Sequence, residues 1–134
     1  MNNKESIYVL VYMSNAKDNL RAQELYDIIS KSASANRAHD VTGFLMFKTG
    51  KFIQVLEGEK TKIKTLYGNI TRDDRHSDCR VIIEGFDTIR NFPDWSLHLN
   101  SFEKFPYFSK EEINNGSVLG VIDIIDKFDK MNYW

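Results

Sequence analysis

The sequence predicts an α+β fold of the ferredoxin-like βαββαβ(β) kind, with two helices on one face of a five-stranded antiparallel or mixed sheet and C-terminal helices on the other face. Three observations predict it. Apolar patterns alternate in the order strand, helix, strand, strand, helix, strand; a further apolar strand follows; and the strongest local signal is a hairpin at residues 41–59. We expect residues 6–99 to form this domain and residues 100–134 to form a helical extension on the sheet or on a partner chain.

The hairpin consists of two runs of β-branched and aromatic residues separated by a short break that contains Gly50, a pattern typical of a tight turn. Gln54 lies in the middle of the second run, between Ile53 and Val55. Both faces of this strand are expected to be buried, and a buried amide whose hydrogen bonds are unmade costs about 1–3 kcal/mol. Either the protein or a ligand supplies the partners of Gln54, unless it faces solvent at a sheet edge.

The remaining elements follow from the spacing of apolar residues. Alternation predicts strands at 7–13, 80–86 and 95–100, and helical spacing predicts helices from about 20 to 35, 61 to 71 and 117 to 131. Asp18 or Asn19 is expected to cap the first helix. The small residues in its second half leave space for another backbone or a flat ligand, or let the helix fray towards Asn36.

Composition excludes several classes of function. The chain of 134 residues has a formal net charge of -1, so it has no basic field for a nucleic acid backbone. It has no signal-peptide pattern and no apolar run long enough to cross a membrane. Its one cysteine, Cys79, rules out an internal disulfide and is expected to be a small core residue. We expect a cytoplasmic protein that binds neither nucleic acid nor membrane.

A small set of polar residues is expected to converge between the two helices. Tyr12 on the first strand and Gln54 on the third strand share one face, because these strands are central neighbours in a ferredoxin-like sheet. Asn36 ends the first helix, while Ile28 and Ile70 supply an aliphatic wall from each helix. An apolar slot with a few fixed polar groups suits a flat, partly polar ring system.

In these residues the sequence resembles the BLUF domain, a family of blue-light sensors that use FAD. The resemblance covers residues 7–99, roughly three quarters of the chain. Five segments carry it: LVYMS with Tyr12, Asn36 followed by VTG at 41–43, FIQVLEGE with Gln54, the run from Leu66 to His76, and Trp95-Ser96. Each segment is weak alone, but together, in this order and spacing, they are specific.

The resemblance implies a non-covalent FAD site, for which FMN or riboflavin are substitutes. It implies that Tyr12 gives an electron and a proton to the excited flavin and that Gln54 is the amide that rearranges its hydrogen bond to the ring. Asn36 would hold the ring edge, and Ile28 and Ile70 would sandwich the ring.

The resemblance also implies roles outside the ring pocket. Asp73, Arg75 and His76 would form a polar rim beside the ribityl and phosphate tail, and Trp95 would relay the signal through the fifth strand. Leu97 stands where the family usually has methionine, which preserves volume but loses the sulfur and the flexible stem. A stand-alone sensor of this kind would not be an enzyme, and it would report to a separate protein effector or through a homo-oligomer.

The same residues give weaker support to other functions. The histidines at 39, 76 and 98 have no spacing that marks a metal site. The strongest rival is a small ferredoxin-like enzyme, such as a flavin reductase or an acylphosphatase-like protein, in which Tyr12 or Arg75 would do chemistry. A BLUF-shaped module without flavin is disfavoured, because Tyr12, Asn36 and Gln54 would be expensive to bury without the ring.

Overall fold

The elements of the fold follow the predicted order. The computed structural model describes residues 6–48, 50–93, 99–100 and 120. In chain order the elements are β1 (Ile7–Ala16), α1 (Ala22–Ala38), β2 (Thr42–Lys48), β3 (Lys51–Gly58), α2 (Lys60–Thr71), β4 (His76–Asp87) and β5 (Leu99–Asn100). Neither helix in these described ranges is long and apolar enough to span a bilayer.

The sheet has the order β4-β1-β3-β2-β5, so β1 and β3 are central neighbours as predicted. β1 pairs antiparallel with both β3 and β4, and β2 pairs antiparallel with β3. A two-residue β5 runs parallel to β2. The rest of the fifth strand predicted at 95–100, and the C-terminal helices predicted after it, lie outside the described residues.

The predicted hairpin is confirmed, with β2 and β3 in register from Thr42 opposite Glu57 to Lys48 opposite Lys51. Gly50 in the turn has φ 77°, a conformation that glycine adopts without a steric penalty. Gly43 is needed for a different reason, since a Cβ atom there would lie 2.0 Å from the Val55 carbonyl oxygen. The two strands therefore meet at a distance that only glycine permits.

α1 begins later than the sequence predicts. β1 continues to Ala16, and Asn19 has φ 62° in a left-handed turn, so neither Asp18 nor Asn19 caps the helix. Arg21 is the N-cap, and its backbone N–H donates to the Glu24 Oε1 atom at 3.1 Å. The cap lies beyond the predicted position because the chain first turns out of the sheet.

The core lies on both faces of β1 and β3. On the helix side, buried residues contact α2 through Ile63; the cluster comprises Tyr8, Leu10, Tyr12, Val41, Leu56 and Ile63. On the other side Val9, Val11, Ile53 and Val55 are buried. Both faces of the strand that carries Gln54 are thus buried, as predicted.

β4 is different, because it lies at the edge of the sheet and much of it is exposed. Val81, Ile82 and Phe86 expose large parts of their side chains. Cys79 is only half-buried. The expectation of a core cysteine was therefore wrong, for the physical reason that an edge strand is covered on fewer sides.

Candidate functional site

Tyr12 and Gln54 form the centre of the site. They are direct partners across β1 and β3, which brings opposite side chains on one face of a sheet into contact. The Tyr12 hydroxyl donates to the Gln54 Oε1 atom at 2.5 Å, and each residue is 3% exposed. The amide thus uses its acceptor end on Tyr12, and its donor end is the NH₂ group.

Burial raises the pKa of the Tyr12 hydroxyl well above its usual value, with smaller contributions from Cys79, Tyr67 and Asp73. Tyr12 is consequently protonated at every physiological pH. The ring of Tyr67 packs against the Tyr12 ring at a centroid distance of 5.3 Å. The phenol therefore has fixed surroundings and a single described acceptor, Gln54.

A cleft opens beside this pair, between α1 and α2. Ile28 and Ser32 line it from α1 and Ile70 lines it from α2, with Leu45 and Phe52 on the sheet. It continues into a cavity of about 220 Å³ that also reaches Asn36. The structure thus brings together all five residues that the sequence placed around a flat ring: Tyr12, Ile28, Asn36, Gln54 and Ile70.

Asn36 lies near the C-terminal end of α1, where a backbone hydrogen bond fixes its position. It is the one buried residue of that helix, and its carbonyl oxygen accepts a hydrogen bond from the Val41 N–H at 2.8 Å. This bond ties the end of α1 to the start of the hairpin. The amide of Asn36 therefore has a defined place at one end of the cleft.

Arg75 forms a charged rim at the cleft. Its Nη1 atom donates to Asp27 of α1 at 2.9 Å, and its Nη2 atom donates to Asp73 at 2.6 Å. The hydrogen bond from Arg75 holds the pKa of Asp73 at about 2. The guanidinium therefore joins α1 to the loop after α2, and both of its partners are carboxylates.

His76 braces the floor of the same cleft. Its Nε2 atom lies 2.7 Å from the Ile70 carbonyl oxygen, which accepts, so Nε2 carries the proton. Its Nδ1 atom lies 2.7 Å from the Ser14 hydroxyl. Both ring nitrogens are engaged by the protein, and a role of His76 towards a cofactor tail stays a prediction.

Sequence reasoning missed two parts of this region. Leu45 lines the cleft, and the hairpin register would have identified it, since it lies directly opposite Gln54. Glu57 is fully buried and holds a network of hydrogen bonds on the other face of the sheet. The predicted relay residues Trp95 and Leu97 lie outside the described residues.

The lining suits a flavin ring. Such a ring has two apolar faces, which match Ile28 and Ile70, and an edge of carbonyl and nitrogen groups, which matches the amides of Asn36 and Gln54. The charged side chains of Asp73 and Arg75 line the same cleft as Tyr12. The residues present therefore fit the isoalloxazine group.

Comparison with known proteins points to the same cofactor. A family model described as sensors of blue-light using FAD, BLUF, matches residues 7–98. The photoactivated adenylate cyclase subunit beta of Euglena gracilis is 31% identical over 102 residues, which are 72% of this chain and 12% of that protein. The blue light- and temperature-regulated antirepressor BluF of Escherichia coli (strain K12) is 30% identical over 90 residues, 67% of this chain and 22% of that protein.

Among solved structures, the dark state of BlrB, a BLUF protein, superposes with a TM-score of 0.69 at 27% identity and covers 72% of this chain and 74% of its own. The chain spans less than a quarter of the length of the two curated relatives. The similarity to them therefore concerns one domain of each.

Proposed function

The chain belongs to the BLUF family of blue-light sensors that use FAD, and we propose that Tyr12 and Gln54 carry its photochemistry. One observation supports this assignment above all: a buried phenol donates to a buried amide at the edge of a cleft that fits the flavin ring. The enzyme alternative that used Tyr12 or Arg75 has no support, since the matched family consists of sensors.

A bound flavin would supply the absorption of blue light and an electron-accepting excited state, and Tyr12 is the electron donor that the site offers. The Tyr12 proton lies on the hydrogen bond to Gln54 Oε1. A transient shift of this proton weakens the bond and lets the amide rotate. After the electron and the proton return to Tyr12, the Gln54 side chain stays rearranged, by rotation, tautomerisation or both, and presents a changed donor and acceptor pattern to the cleft.

The other lining residues hold the cofactor. Ile28 and Ile70 would contact the two faces of the ring, and Asn36 would bind its edge, since all three line the cavity. Asp73 and Arg75 form the rim past which the tail leaves, and His76 supports that rim. FAD is the cofactor of the family, and FMN or riboflavin would bind through the same ring contacts.

We expect the light signal to be passed from this domain to another protein chain. The cyclase relatives have their enzymatic parts outside the matched segment, and we assign no enzymatic activity to residues 6–99. The rearranged amide acts through the fifth strand, with Trp95 and Leu97 as relay residues. A cytoplasmic protein effector or a second copy of the chain receives the signal, with residues 100–134 as the extension that contacts it.

The test is an absorption spectrum of the purified, flavin-loaded protein before and after blue light, followed in the dark. We expect the flavin band to shift slightly to the red and then to return, because a rearranged hydrogen bond to the ring lowers the transition energy. Bound flavin without a shift would overturn the roles of Tyr12 and Gln54. A protein that takes up no flavin would contradict the cofactor assignment.

A further inference from the structure

We propose that Glu57 is a positioning residue that fastens the loop after β4 to the strand that carries Gln54, and that this fastening opens when the sensor is illuminated. We call the hydrogen bonds from Asn91 and Phe92 to the Glu57 carboxylate the Glu57 latch. The inference rests on the proposed function, because the movement that opens the latch begins at Gln54.

The latch consists of three hydrogen bonds to one carboxylate, and Thr42 donates a fourth bond to the same group. The Glu57 Oε2 atom accepts from the Asn91 backbone N–H at 2.5 Å and from Asn91 Nδ2 at 2.7 Å. The Oε1 atom accepts from the Phe92 backbone N–H at 2.9 Å and from the Thr42 hydroxyl at 3.1 Å. Glu57 and Asn91 are both 0% exposed. A buried carboxylate that is completed by two backbone N–H groups of one loop determines where that loop lies.

Arg90 extends the contact to β2. Its Nη1 atom donates to the Thr42 hydroxyl at 3.0 Å and to the Glu57 carbonyl oxygen at 3.2 Å. The Thr42 hydroxyl therefore accepts a hydrogen bond from Arg90 and donates one to the Glu57 carboxylate. The Phe92 ring stacks on Phe44 of β2, with a centroid distance of 5.3 Å. The loop therefore contacts both β2 and β3, and a displacement of one strand relative to the other would strain these contacts.

One atom of the latch is unsatisfied. The Asn91 Oδ1 atom is buried and has no hydrogen-bond partner among the described residues. Because no donor among the described residues reaches this oxygen, opening of the latch would expose it to water without breaking a hydrogen bond described there. Hydration of Asn91 then offsets part of the lost bonds to Glu57. This is the property expected of a contact with two accessible states.

Gln54 and Glu57 are three residues apart on β3, and their side chains lie on opposite faces of the sheet. Gln54 is paired with Leu45 of β2 and Glu57 with Thr42 of β2. We expect a rearrangement of the Gln54 amide to shift β3 against β2, and Glu57, three positions further along β3, is the residue whose side chain bonds the loop after β4. The loop that the latch holds, at Asn91 and Phe92, leads along the chain to the predicted relay residues.

Hydrogen exchange at two backbone amides tests the proposal. The flavin-loaded full chain is followed by NMR in the dark and under continuous blue light, with the absorption spectrum recorded on the same sample. We expect the Asn91 and Phe92 amides to exchange at least about tenfold faster in the light, because their acceptor is lost. A red shift accompanied by equal exchange in dark and light would overturn the latch alone. An absent red shift would overturn the proposed function and the latch with it.

Glu57→Gln tests the same contact without light. The new amide places an NH₂ group against the N–H donors of the loop, so both amides should exchange faster in the dark while the red shift remains. Glu59→Gln is the matched control, since it makes the same chemical change at an exposed position and should leave both amides protected. Full protection in Glu57→Gln would overturn the proposal. Should that variant fail to fold, the light and dark comparison on the unaltered chain decides.

Discussion

At the scale of single residues, Tyr12 and Gln54 depend on each other. Tyr12→Phe removes the donor to Gln54 Oε1 and leaves a buried amide oxygen unpaired, which should cost about 1–3 kcal/mol of stability. Flavin should still bind, and the red-shifted state should be lost. Denaturant unfolding and a light-minus-dark spectrum measure the two effects. Tyr26→Phe is the control, because Tyr26 is 69% exposed; a normal photocycle in Tyr12→Phe would remove Tyr12 from the mechanism.

Gln54→Leu makes the complementary change, since it leaves the Tyr12 hydroxyl without its acceptor. The fold and the bound flavin should persist and the red shift should disappear. The double variant, Tyr12→Phe with Gln54→Leu, should be less destabilised than the sum of the single variants, because no unpaired polar group remains. Additive unfolding energies would mean that the hydrogen bond does not link the two residues in solution, and a surviving red shift would exclude Gln54 as the switch.

The stability that the ion pair between Arg75 and Asp73 contributes depends on pH, and the sign of that dependence can be worked out. Arg75 lowers the pKa of Asp73 from 3.8 to about 2, so the ion pair contributes stability above pH 4, and that contribution is lost as the pH falls from about 4 to 2. The effect is modest because the pair keeps partial contact with solvent, with the Arg75 and Asp73 side chains 21% and 30% exposed. NMR titration should give the low Asp73 value in the unaltered chain and a value near 4 in Arg75→Gln. Equal values in both proteins would contradict the pairing.

At the scale of elements, the hairpin depends on one close approach. Gly43→Ala would place a Cβ atom 2.0 Å from the Val55 carbonyl oxygen, and the strands would have to separate beside Gln54. We expect a loss of at least about 1–3 kcal/mol in thermal or denaturant unfolding, together with weaker flavin binding.

Gly68→Ala is the control for this substitution. Gly68 lies within α2, and a Cβ atom there would meet nothing closer than 3.8 Å. Because alanine favours a helix over glycine, this variant should gain about 0.5–1 kcal/mol. A Gly43→Ala protein as stable as Gly68→Ala would show that the strand spacing adapts freely.

Elements with a strong local period were predictable, and contacts between distant segments were not. The alternation around Gln54 predicted the hairpin, and the ferredoxin-like strand order predicted that Gln54 and Tyr12 share a face on neighbouring strands. The start of α1 was misplaced, since the left-handed turn at Asn19 leaves no periodic signal. Glu57 is a polar residue in the same apolar strand as Gln54, but its partners lie about 34 residues further on, where no pattern within the strand identifies them.

At the scale of the whole molecule, the signal must travel from the cleft to the chain that follows β4. Leu97→Met would restore the residue that the family usually has. We expect it to change the dark recovery rate more than the spectrum, because methionine adds a flexible stem at the relay and leaves the ring contacts unchanged. The recovery half-time after a blue flash measures this. An unchanged half-time would make position 97 a passive packing position.

The pairing of Tyr12 with Gln54 also has a consequence for how the protein folds. The two residues are 42 positions apart, so their contact closes a long loop and comes at a high entropic cost during folding. A refolding chain can form the local β2–β3 hairpin early, but the cleft exists only after β1 has inserted between β3 and β4. Flavin present during refolding should accordingly be captured late, and quenching of its fluorescence would time the insertion of the first strand.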